Sequence, residues 1–414
     1  MYFSPYIGRS AVLKTGADWD SAFDHGDPTT TIIKFLKMDL RPSIVPLLQD
    51  FLSGRTCSVR YNSAESSLIR LVGGFPQGSL IGQDAYLVTS DDCADAVEPK
   101  DKFRYIDDLE ILELIKLSGI LIEYDTLSHV PSDVGTHQQY LPPNTLRTPS
   151  YLDSISDWTD SNLMKLNPCK SSYMLFSRSQ EQFATRLTLN SQTLEQKTVC
   201  KILRIWIEED AGSWQKNTTE ICKSAYGRMS MLSKLIYVRV NRKDLIEIYC
   251  LFIRSRTEYC SVVFHNSLTQ AQEKKIENIQ KTSLKIILQD QYIGYEAACQ
   301  LTGLTSLVQR RESRSLTFAR RCLDSPEMSR FFPRLGHLPQ QELRDRDTFV
   351  VNFARTVNYQ KSAIVHCQNQ LNHYMHELNN KKREEEKGKE ERWREWMEQL
   401  DERLRRRREG QGGR

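Results

Sequence analysis

Along the first 210 residues, the spacing of apolar positions changes several times between the alternation typical of strands and the period typical of helices. Cys57–Tyr61 alternates between apolar and polar side chains, which predicts a strand. Tyr151–Leu166 predicts an amphipathic helix, because its apolar side chains recur at helical spacing on one side; these are Leu152, Ile155, Trp158 and Leu163. The same reasoning predicts helices over Ile32–Leu52, broken at Pro42, and Leu80–Ser90, and strands over Lys102–Arg104, Leu109–Ile115, Ser172–Ser177, Leu187–Leu189 and Lys201–Ile207.

Beyond Trp214 the pattern becomes helical throughout, which predicts a separate all-α module. The predicted helices are Trp214–Tyr237, Asp244–Tyr259, Thr269–Gln289 and Ser306–Leu323. In Thr269–Gln289, an apolar side of isoleucines lies opposite a basic face of Lys274, Lys281 and Lys285. A basic face suits a phosphate backbone, although an ordinary solvated face accounts for three lysines equally well.

Charged residues dominate the C-terminal segment Lys381–Glu409, with twelve Lys and Arg against ten Asp and Glu in blocks of one sign. This composition predicts either a single exposed helix held by i,i+4 ion pairs or a disordered tail. The run Arg405–Arg408 is typical of a nucleic-acid contact or a nuclear signal. A plain solvated tail remains the alternative.

The overall composition sets limits on the class of protein. A length of 414 residues leaves room for two or three domains. A formal net charge of +4 says little about partners. The sequence has no run of about 18 apolar residues and no basic stretch followed by an apolar one at its start, so we expect an intracellular protein without a membrane span. Ten cysteines without a Cys-x-x-Cys motif agree with this expectation.

Two adjacent carboxylates, Asp107 and Asp108, follow Tyr105 at the tip of the predicted hairpin. Neighbouring Asp residues on a tight turn repel each other, and divalent cations relieve that repulsion. The pair therefore indicates two-metal chemistry on phosphates. Taken alone, an acidic surface turn explains it as well, because such pairs are common.

A second acidic cluster lies far upstream, in Asp18–Asp24, where carboxylates and apolar residues interleave as at the end of a strand. Two-metal nucleotidyl transfer needs carboxylates from separate strands that hold cations about 3.5–4 Å apart. Asp18, together with Asp107 and Asp108, supplies the required number of carboxylates.

Between the two acidic clusters lies the turn-rich segment Gly73–Ser79. Its glycines let the backbone approach a ligand closely, and Gln77 offers both a donor and an acceptor to a sugar or base. A generic turn explains this segment by itself, so its meaning depends on the acidic clusters on either side.

Taken in order, three motifs resemble the palm of a reverse transcriptase, more specifically that of a non-LTR (LINE-type) retrotransposon. The motifs are Asp-x-x-x-Ala-Phe-Asp from Asp18, Gly-x-Pro-Gln-Gly-Ser from Gly74 and Tyr-x-Asp-Asp from Tyr105. Further stretches resemble later palm blocks (Trp158–Lys170, Met174–Ser177), the strand that grips the primer (Lys201–Ile207) and the helical thumb (Ile248–Ser261, Ile276–Leu288, Arg310–Glu312). The resemblance covers roughly residues 10–335.

The resemblance implies an RNA-directed DNA polymerase that adds deoxynucleotides to a primer 3′ end and releases pyrophosphate. It implies that Asp18, Asp107 and Asp108 are the catalytic carboxylates and bind two Mg²⁺ ions, which Mn²⁺ can replace. The implied partners are an RNA template, a DNA primer and deoxynucleoside triphosphates. The thumb lysines would contact nucleic acid.

The resemblance also implies roles around the nucleotide. Phe23 matches the position that screens against a ribose 2′-hydroxyl, which a planar aromatic ring excludes by its volume. Gln77 and Gly78 would contact the incoming nucleotide and the template. Lys170 would lie near the departing pyrophosphate.

The sequence departs from the family at three places. The residues before Asp18 are too few for a fingers region, so we expect an N-terminally truncated palm. Arg204 and Asp39 stand where the family usually has Gly. Asp tolerates the left-handed backbone that Gly adopts better than Arg does.

The expected fold is therefore α+β. We predict a reverse-transcriptase palm over residues 1–210, with an antiparallel sheet, flanking helices and most of the fingers missing. A helical thumb over 211–335 and a helical linker with a charged tail over 336–414 follow. Two other functions stay open: a catalytically inactive retroelement remnant that still binds nucleic acid, and an interaction protein that acts through its charged C-terminal helix.

Overall fold

The computed structural model describes residues 10–116, 123–124, 139–140, 145–177, 183–210, 212–335, 348–353 and 357–411. The described residues up to 210 form one compact unit, and those from Gly212 onward form a second. The predicted α+β fold is confirmed, because the first unit combines strands with helices and the second is built mainly of helices. The division into three domains stays a prediction.

The first unit contains an antiparallel-rich sheet and several small strand pairs. Its helices are α1 (Pro28–Lys37), α2 (Val45–Leu52), α3 (Leu80–Ser90) and α4 (Thr148–Ser161). Its strands are β1 (Ser10–Ala17), β2 (Thr56–Cys57), β3 (Arg60–Tyr61), β4 (Ala64–Glu65), β5 (Ile69–Arg70), β6 (Lys102–Tyr105), β7 (Asp108–Lys116), β8 (Glu123–Tyr124), β9 (Gln139–Tyr140), β10 (Ser172–Ser177), β11 (Phe183–Ala184), β12 (Thr188–Leu189), β13 (Gln192–Thr193), β14 (Glu195–Gln196), β15 (Val199–Ile202) and β16 (Ile205–Glu208).

The main sheet has five strands in the order β14-β10-β1-β7-β6. Central β1 pairs antiparallel with both β7 and β10, and β14 joins β10 in parallel. Side chains from β1 and β7 supply much of the core, including Leu13, Leu109 and Ile111, which are fully or almost fully buried. The sheet therefore fixes β1 and the β6–β7 hairpin side by side.

The helices of the first unit begin and end at polar residues. The Asp27 side chain caps α1 by accepting from the Thr30 backbone, and Pro28 occupies the first turn, so α1 begins four residues before the predicted Ile32. The predicted break at Pro42 is confirmed, because a 3₁₀ turn, Pro42–Ile44, separates α1 from α2. Asp39 has a positive φ of 60° just past α1, a left-handed conformation that Gly adopts more easily.

Three predictions for this unit were wrong in detail. The Tyr151–Leu166 helix ends at Ser161, and Leu163 is 66% exposed at a φ of 54° instead of packing with the helix. Lys201–Ile207 is not one strand but the β15–β16 hairpin, because Leu203 and Arg204 turn the chain at positive φ. The predicted Cys57–Tyr61 strand is divided between β2 and β3, which pair with β5 and β4.

The second unit confirms the predicted helical module. Its α-helices are α5 (Gln215–Tyr237), α6 (Arg242–Ile248), α7 (Ser255–Glu258), α8 (Ser261–Phe264), α9 (Gln270–Leu288), α10 (Tyr295–Thr302), α11 (Leu307–Leu323), α12 (Pro326–Ser329), α13 (Val357–Gln360) and α14 (Ala363–Gln411). The predicted Asp244–Tyr259 helix is interrupted by a π-helical segment, Tyr249–Arg254, whose Tyr249 and Ile253 are buried. Short 3₁₀ turns lie at His265–Ser267 and Gln289–Gln291.

Buried apolar side chains hold the second unit together. Leu232, Tyr249 and Ile279 bring α5, the π-helical segment and α9 into one core. A capping box of Thr269 and Gln272 fixes the start of α9. A half-exposed arginine, Arg314, forms a 2.7 Å ion pair with the buried carboxylate of Glu258.

The charged C-terminal segment is helical throughout its described length, as part of the 49-residue helix α14. Of the two predicted alternatives, the single exposed helix is confirmed. Side chains of residues 381–399 are exposed apart from Gly388 and Met397. In the described parts of the chain, no helix combines the length and apolar character needed to cross a membrane.

Candidate active site

The two acidic clusters meet at one end of the main sheet. In the β1–β7 register, Ala17 lies opposite Leu109, so Asp18, the residue after β1, lies at the same end of the sheet as Asp108, and both line one cavity. Asp107 lies in the two-residue turn between β6 and β7. Residues that are 90 positions apart in the sequence are thus brought together by strand pairing.

The backbone of Asp18 is fixed from the segment that follows α4. Its amide donates to the Ser171 Oγ at 3.0 Å, and its carbonyl accepts from the Asn167 amide at 2.9 Å. A bridge between Trp19 and Leu166 continues this pairing. These contacts hold the backbone of Asp18 at the end of the central strand, where its side chain is exposed.

The hairpin turn beside the carboxylates is strained. Ile106 has a φ of 57°, a region that β-branched residues rarely adopt. Strained backbone persists where the surrounding structure imposes it, and it clusters at functional sites. Here the β6–β7 pairing imposes the turn, which sets Asp107 next to Asp108.

The electrostatics of the site favour a bound cation. Burial raises the pKa of Asp108, and the neighbouring carboxylates of Asp107 and Asp18 raise that pKa further, while the Lys14 ammonium lowers it. Among the described residues, no group of three His, Cys, Asp or Glu side chains is arranged to hold a metal ion unaided. Mg²⁺ does not need such a group, because it binds through one or two carboxylates plus water and substrate phosphates. The hard oxygen donors of Asp18 and Asp108 fit that mode.

A cavity of about 380 Å³ opens beside these carboxylates. Its lining residues are Lys14, Gly16, Ala17, Asp18, Asp108, Leu109, Glu110, Lys170, Ser172, Lys197, Val199, Cys200, Lys201 and Trp206. Lys14 and Glu110 form a largely buried ion pair of 2.8 Å on its floor. Three further lysines, Lys170, Lys197 and Lys201, make the cavity wall basic beside the carboxylates of Asp18 and Asp108. This combination suits a phosphate ester held near cations.

Phe23 lies on an aromatic support near the hairpin. Its ring stacks on that of Tyr86, with centroids 4.8 Å apart, and the Phe75 ring meets Tyr86 edge-on. Burial raises the pKa of Tyr86, and the charge of Asp107 raises that pKa further. Tyr86 therefore stacks on the half-buried Phe23 and lies close enough to Asp107 for its charge to act on the Tyr86 hydroxyl.

The Gly73–Ser79 segment, called here the glycine loop, pairs directly with the backbone that follows Asp18. The Phe75 amide donates to the Phe23 carbonyl at 2.7 Å, and the Gly74 amide to the Gly26 carbonyl at 3.0 Å. Gly74 has a φ of 79°, and a Cβ there would lie 2.8 Å from the Asp24 carbonyl. Only Gly fits this close approach.

The other residues predicted for the nucleotide site are Gln77 and Gly78 on the glycine loop and Lys170 on the cavity wall. The exposed Gln77 side chain donates to Asp24 at 3.2 Å. Gly78 turns the glycine loop at a φ of 82°. Lys170 lines the cavity together with Asp18, and its ammonium lies 4.0 Å from Asp20. Of the residues predicted for metal and nucleotide binding, Asp18, Asp108 and Lys170 line the cavity, whereas Asp107, Phe23, Gln77 and Gly78 do not belong to its lining.

The predicted nucleic-acid-binding lysines belong to the second unit, on α9. Lys274 is exposed. Lys281 lies over the Tyr295 ring at 5.1 Å, and Lys285 lies over the Tyr292 ring at 5.5 Å. These lysines are therefore partly held in place by cation–π contacts.

Several residues at the site were not identified from the sequence. Glu110 is two positions after Asp108, so strand alternation could have placed it on the same face. Lys14 interrupts an apolar strand, which is a detectable signal of a buried partner. Tyr86 gave no signal, because its contacts with Phe23 and Phe75 depend on distant segments.

Comparisons with known proteins add little to this geometry. No protein-family model matches the chain, and no curated protein matches it. Among solved structures, it is similar to telomerase from Candida albicans in complex with a fragment of telomeric RNA, with a TM-score of 0.25 and 10% sequence identity. That match covers 78% of this chain and 50% of the telomerase chain. A TM-score this low carries no argument about fold or function.

Proposed function

We propose that this chain is the polymerase portion of a reverse transcriptase of the non-LTR retrotransposon type. One observation carries the proposal: strand pairing brings Asp18 close to Asp108, while the glycine loop pairs with the segment that starts at Phe23. The proximity of three motifs that are separate in the sequence supports a single site. A plain acidic surface turn at Asp107 and Asp108 would need neither Asp18 nor the glycine loop nearby.

In this proposal, Asp18 and Asp108 hold Mg²⁺, with Asp107 adding negative charge from the turn. Two Mg²⁺ ions held there would supply Lewis-acid stabilisation to the primer 3′-hydroxyl and to the pyrophosphate leaving group. Lys170 offers a cation for that leaving group at the cavity wall. Burial of the Lys14–Glu110 ion pair keeps the cavity floor rigid beneath the reacting phosphate.

The same geometry supports a nucleotide site next to the carboxylates. Phe23, stacked on Tyr86, presents a planar ring that excludes a 2′-hydroxyl by volume. Gln77 extends from the glycine loop and contacts the incoming nucleotide or the template base. The RNA template, the DNA primer and deoxynucleoside triphosphates are the proposed partners, and Lys274, Lys281 and Lys285 the proposed contacts to the nucleic-acid backbone.

A second candidate function is an inactive remnant that binds nucleic acid without extending it. The basic side of α9 favours this candidate, because binding through it does not need the carboxylates. A third candidate, an interaction protein, is favoured by α14, where Trp393 and Trp396 are 63% and 55% exposed.

Primer extension on an RNA template with Mg²⁺ tests the proposal. The wild-type chain should extend a DNA primer, and Asp18→Asn, Asp107→Asn and Asp108→Asn should each lower the rate by at least about a hundredfold. Asp50→Asn, an exposed carboxylate on α2, is the matched control and should extend normally. Binding of primer–template without extension by wild type would overturn the polymerase in favour of the remnant.

A further inference from the structure

Arg55 makes an unusual set of contacts just after helix α2. Its Nε donates to the Leu52 carbonyl at 3.1 Å, which caps the end of that helix. Its Nη2 donates to the Gly73 carbonyl at 2.9 Å and also to the Gly74 carbonyl. Within the part of the chain that the structure describes, no carboxylate forms an ion pair with Arg55, so its guanidinium binds backbone carbonyls.

These contacts lie on the opposite side of the glycine loop from the Phe23 segment. The carbonyls of Gly73 and Gly74 point to Arg55, whereas the amides of Gly74 and Phe75 point to Gly26 and Phe23. The start of the loop is therefore held from both sides. The Leu71 amide also donates to the Arg55 carbonyl at 2.9 Å, which joins the backbone before the loop to the same residue.

The guanidinium suits this position for a physical reason. It is planar and presents five N–H donors in a fixed fork, so it can bridge several carbonyls at once. A lysine ammonium is a point charge on a flexible stem and cannot reproduce the fork. Because the carbonyls of two consecutive residues are held, the peptide planes at Gly73 and Gly74 have little freedom to rotate.

We infer that Arg55 is a positioning residue for nucleotide binding: it fixes the glycine loop, and thereby Phe23 and Gln77, without touching the substrate. This inference rests on the proposed function. A positioning residue of this kind governs how well the nucleotide site is formed before the substrate arrives. Its loss weakens nucleotide binding more than it slows the chemical step, because Asp18 and Asp108 are held by the sheet instead.

Single-nucleotide incorporation by Arg55→Lys and Arg55→Met tests the inference on the full chain. We expect KM for the deoxynucleotide to rise about threefold in Arg55→Lys and about tenfold in Arg55→Met, with kcat within about twofold of wild type. Arg60→Lys is the matched control, because Arg60 is an exposed arginine on β3 whose guanidinium forms an ion pair with Glu65. It should leave KM unchanged. An unchanged KM in Arg55→Met would overturn the inference, as would a fall in kcat alone.

Hydrogen exchange separates this inference from the proposed function. In Arg55→Met, amides of residues 73–79 should exchange at least about tenfold faster, while those of β1 and β7 keep their protection. Unchanged exchange in the loop would overturn the positioning role even if the enzyme is active. If wild type extends no primer, the proposed function fails, and so does the expected effect of Arg55 on nucleotide affinity. Hydrogen exchange of the glycine loop still decides whether Arg55 fixes the loop.

Discussion

The environment of Asp108 departs from that of an ordinary surface carboxylate, because burial and the neighbouring carboxylates raise its pKa. Its raised pKa means that its ionised form is disfavoured in the folded state, so it lowers stability above that pKa. The cost disappears as pH falls below the unfolded value of about 3.9. A divalent cation removes the same cost at neutral pH, because it stabilises the ionised form.

Thermal unfolding of Asp108→Asn tests this account. At pH 7.5 the variant should be more stable than wild type, by less than about 1 kcal/mol because the carboxylates are solvent-exposed and screened. This gain should shrink as pH falls to about 4. Mg²⁺ should raise the wild-type Tm more than that of the variant. Equal Mg²⁺ shifts in wild type, Asp108→Asn and the Asp50→Asn control would contradict a cation site at Asp108.

Phe23 carries the prediction about sugar selection. Replacing it with Val removes the ring that stacks on Tyr86, so the ratio of kcat/KM for ribonucleotides to that for deoxynucleotides should rise at least about tenfold. Tyr86→Phe keeps the aromatic support and serves as the control. A selectivity ratio in Phe23→Val equal to that of Tyr86→Phe would exclude Phe23 as the gate.

At the residue scale, the candidate metal-binding side chains were easier to predict than the side chains that hold neighbouring segments in place. Asp18, Asp107 and Asp108 were identified because their type and order suggest metal chemistry, and strand pairing then explains how Asp18 and Asp108 meet. Arg55 and Tyr86 were missed because an arginine or a tyrosine has no local signal for contacts with carbonyls or rings elsewhere in the chain. Such contacts exist only after the helices and the glycine loop have been placed.

At the element scale, the β15–β16 hairpin contains a clear local conflict between sequence and backbone. Leu203 and Arg204 both have positive φ, at 44° and 69°, in a two-residue turn that favours Asn-Gly. The turn therefore holds this conformation without Gly, the residue that adopts it most easily. The sequence predicted a strand here because the apolar positions continue across the turn.

Replacing Leu203-Arg204 with Asn-Gly should therefore stabilise the protein. Relief of two unfavourable φ values predicts a gain of about 1–2 kcal/mol in the free energy of unfolding. Chemical denaturation measures it, and the m-value should stay constant. Asn190→Gly on the β12–β13 turn, whose φ is 50°, is a comparison with one relieved residue and should gain less. A loss of stability in Leu203-Arg204→Asn-Gly would contradict the turn geometry.

Helix α9 carries the prediction about nucleic-acid binding. Lys281→Met with Lys285→Met should weaken duplex binding at every sequence and reduce the salt dependence of binding by a slope of about two, because each phosphate contact contributes about 0.9. Lys100→Met, an exposed lysine paired with Glu98 in the first unit, is the control. A salt slope unchanged in the α9 variant would show that its lysines do not contact phosphates.

Elements with a strong period were predicted well. α3 has the predicted bounds, α5 and α11 differ from prediction by one residue at one end, and α9 differs by one residue at each end, because long helical stripes leave little ambiguity. The short α10 was not predicted, since eight residues span only about two helical turns and give a weak periodic signal. The two-residue strands β4 and β5 were not predicted either, because two residues cannot show alternation.

At the scale of the whole molecule, the fold class followed from the change of pattern near Trp214. The first unit depends on long-range strand pairing, which the sequence does not specify directly, and the order β14-β10-β1-β7-β6 could not be derived from alternation alone. The motifs predicted only that Asp18 and the Asp107-Asp108 hairpin lie close together, and the positions of the other strands have no comparable signal in the sequence.

Template-directed addition of a single nucleotide tests the central claim most directly. The full chain, Mg²⁺, one DNA primer and four RNA templates that differ only in the first unpaired base are combined with each deoxynucleotide in turn. The account predicts that wild type adds the complementary nucleotide on each template and that Asp108→Asn adds none. No addition by wild type, or addition that ignores the template base, would contradict a polymerase site built on Asp18 and Asp108.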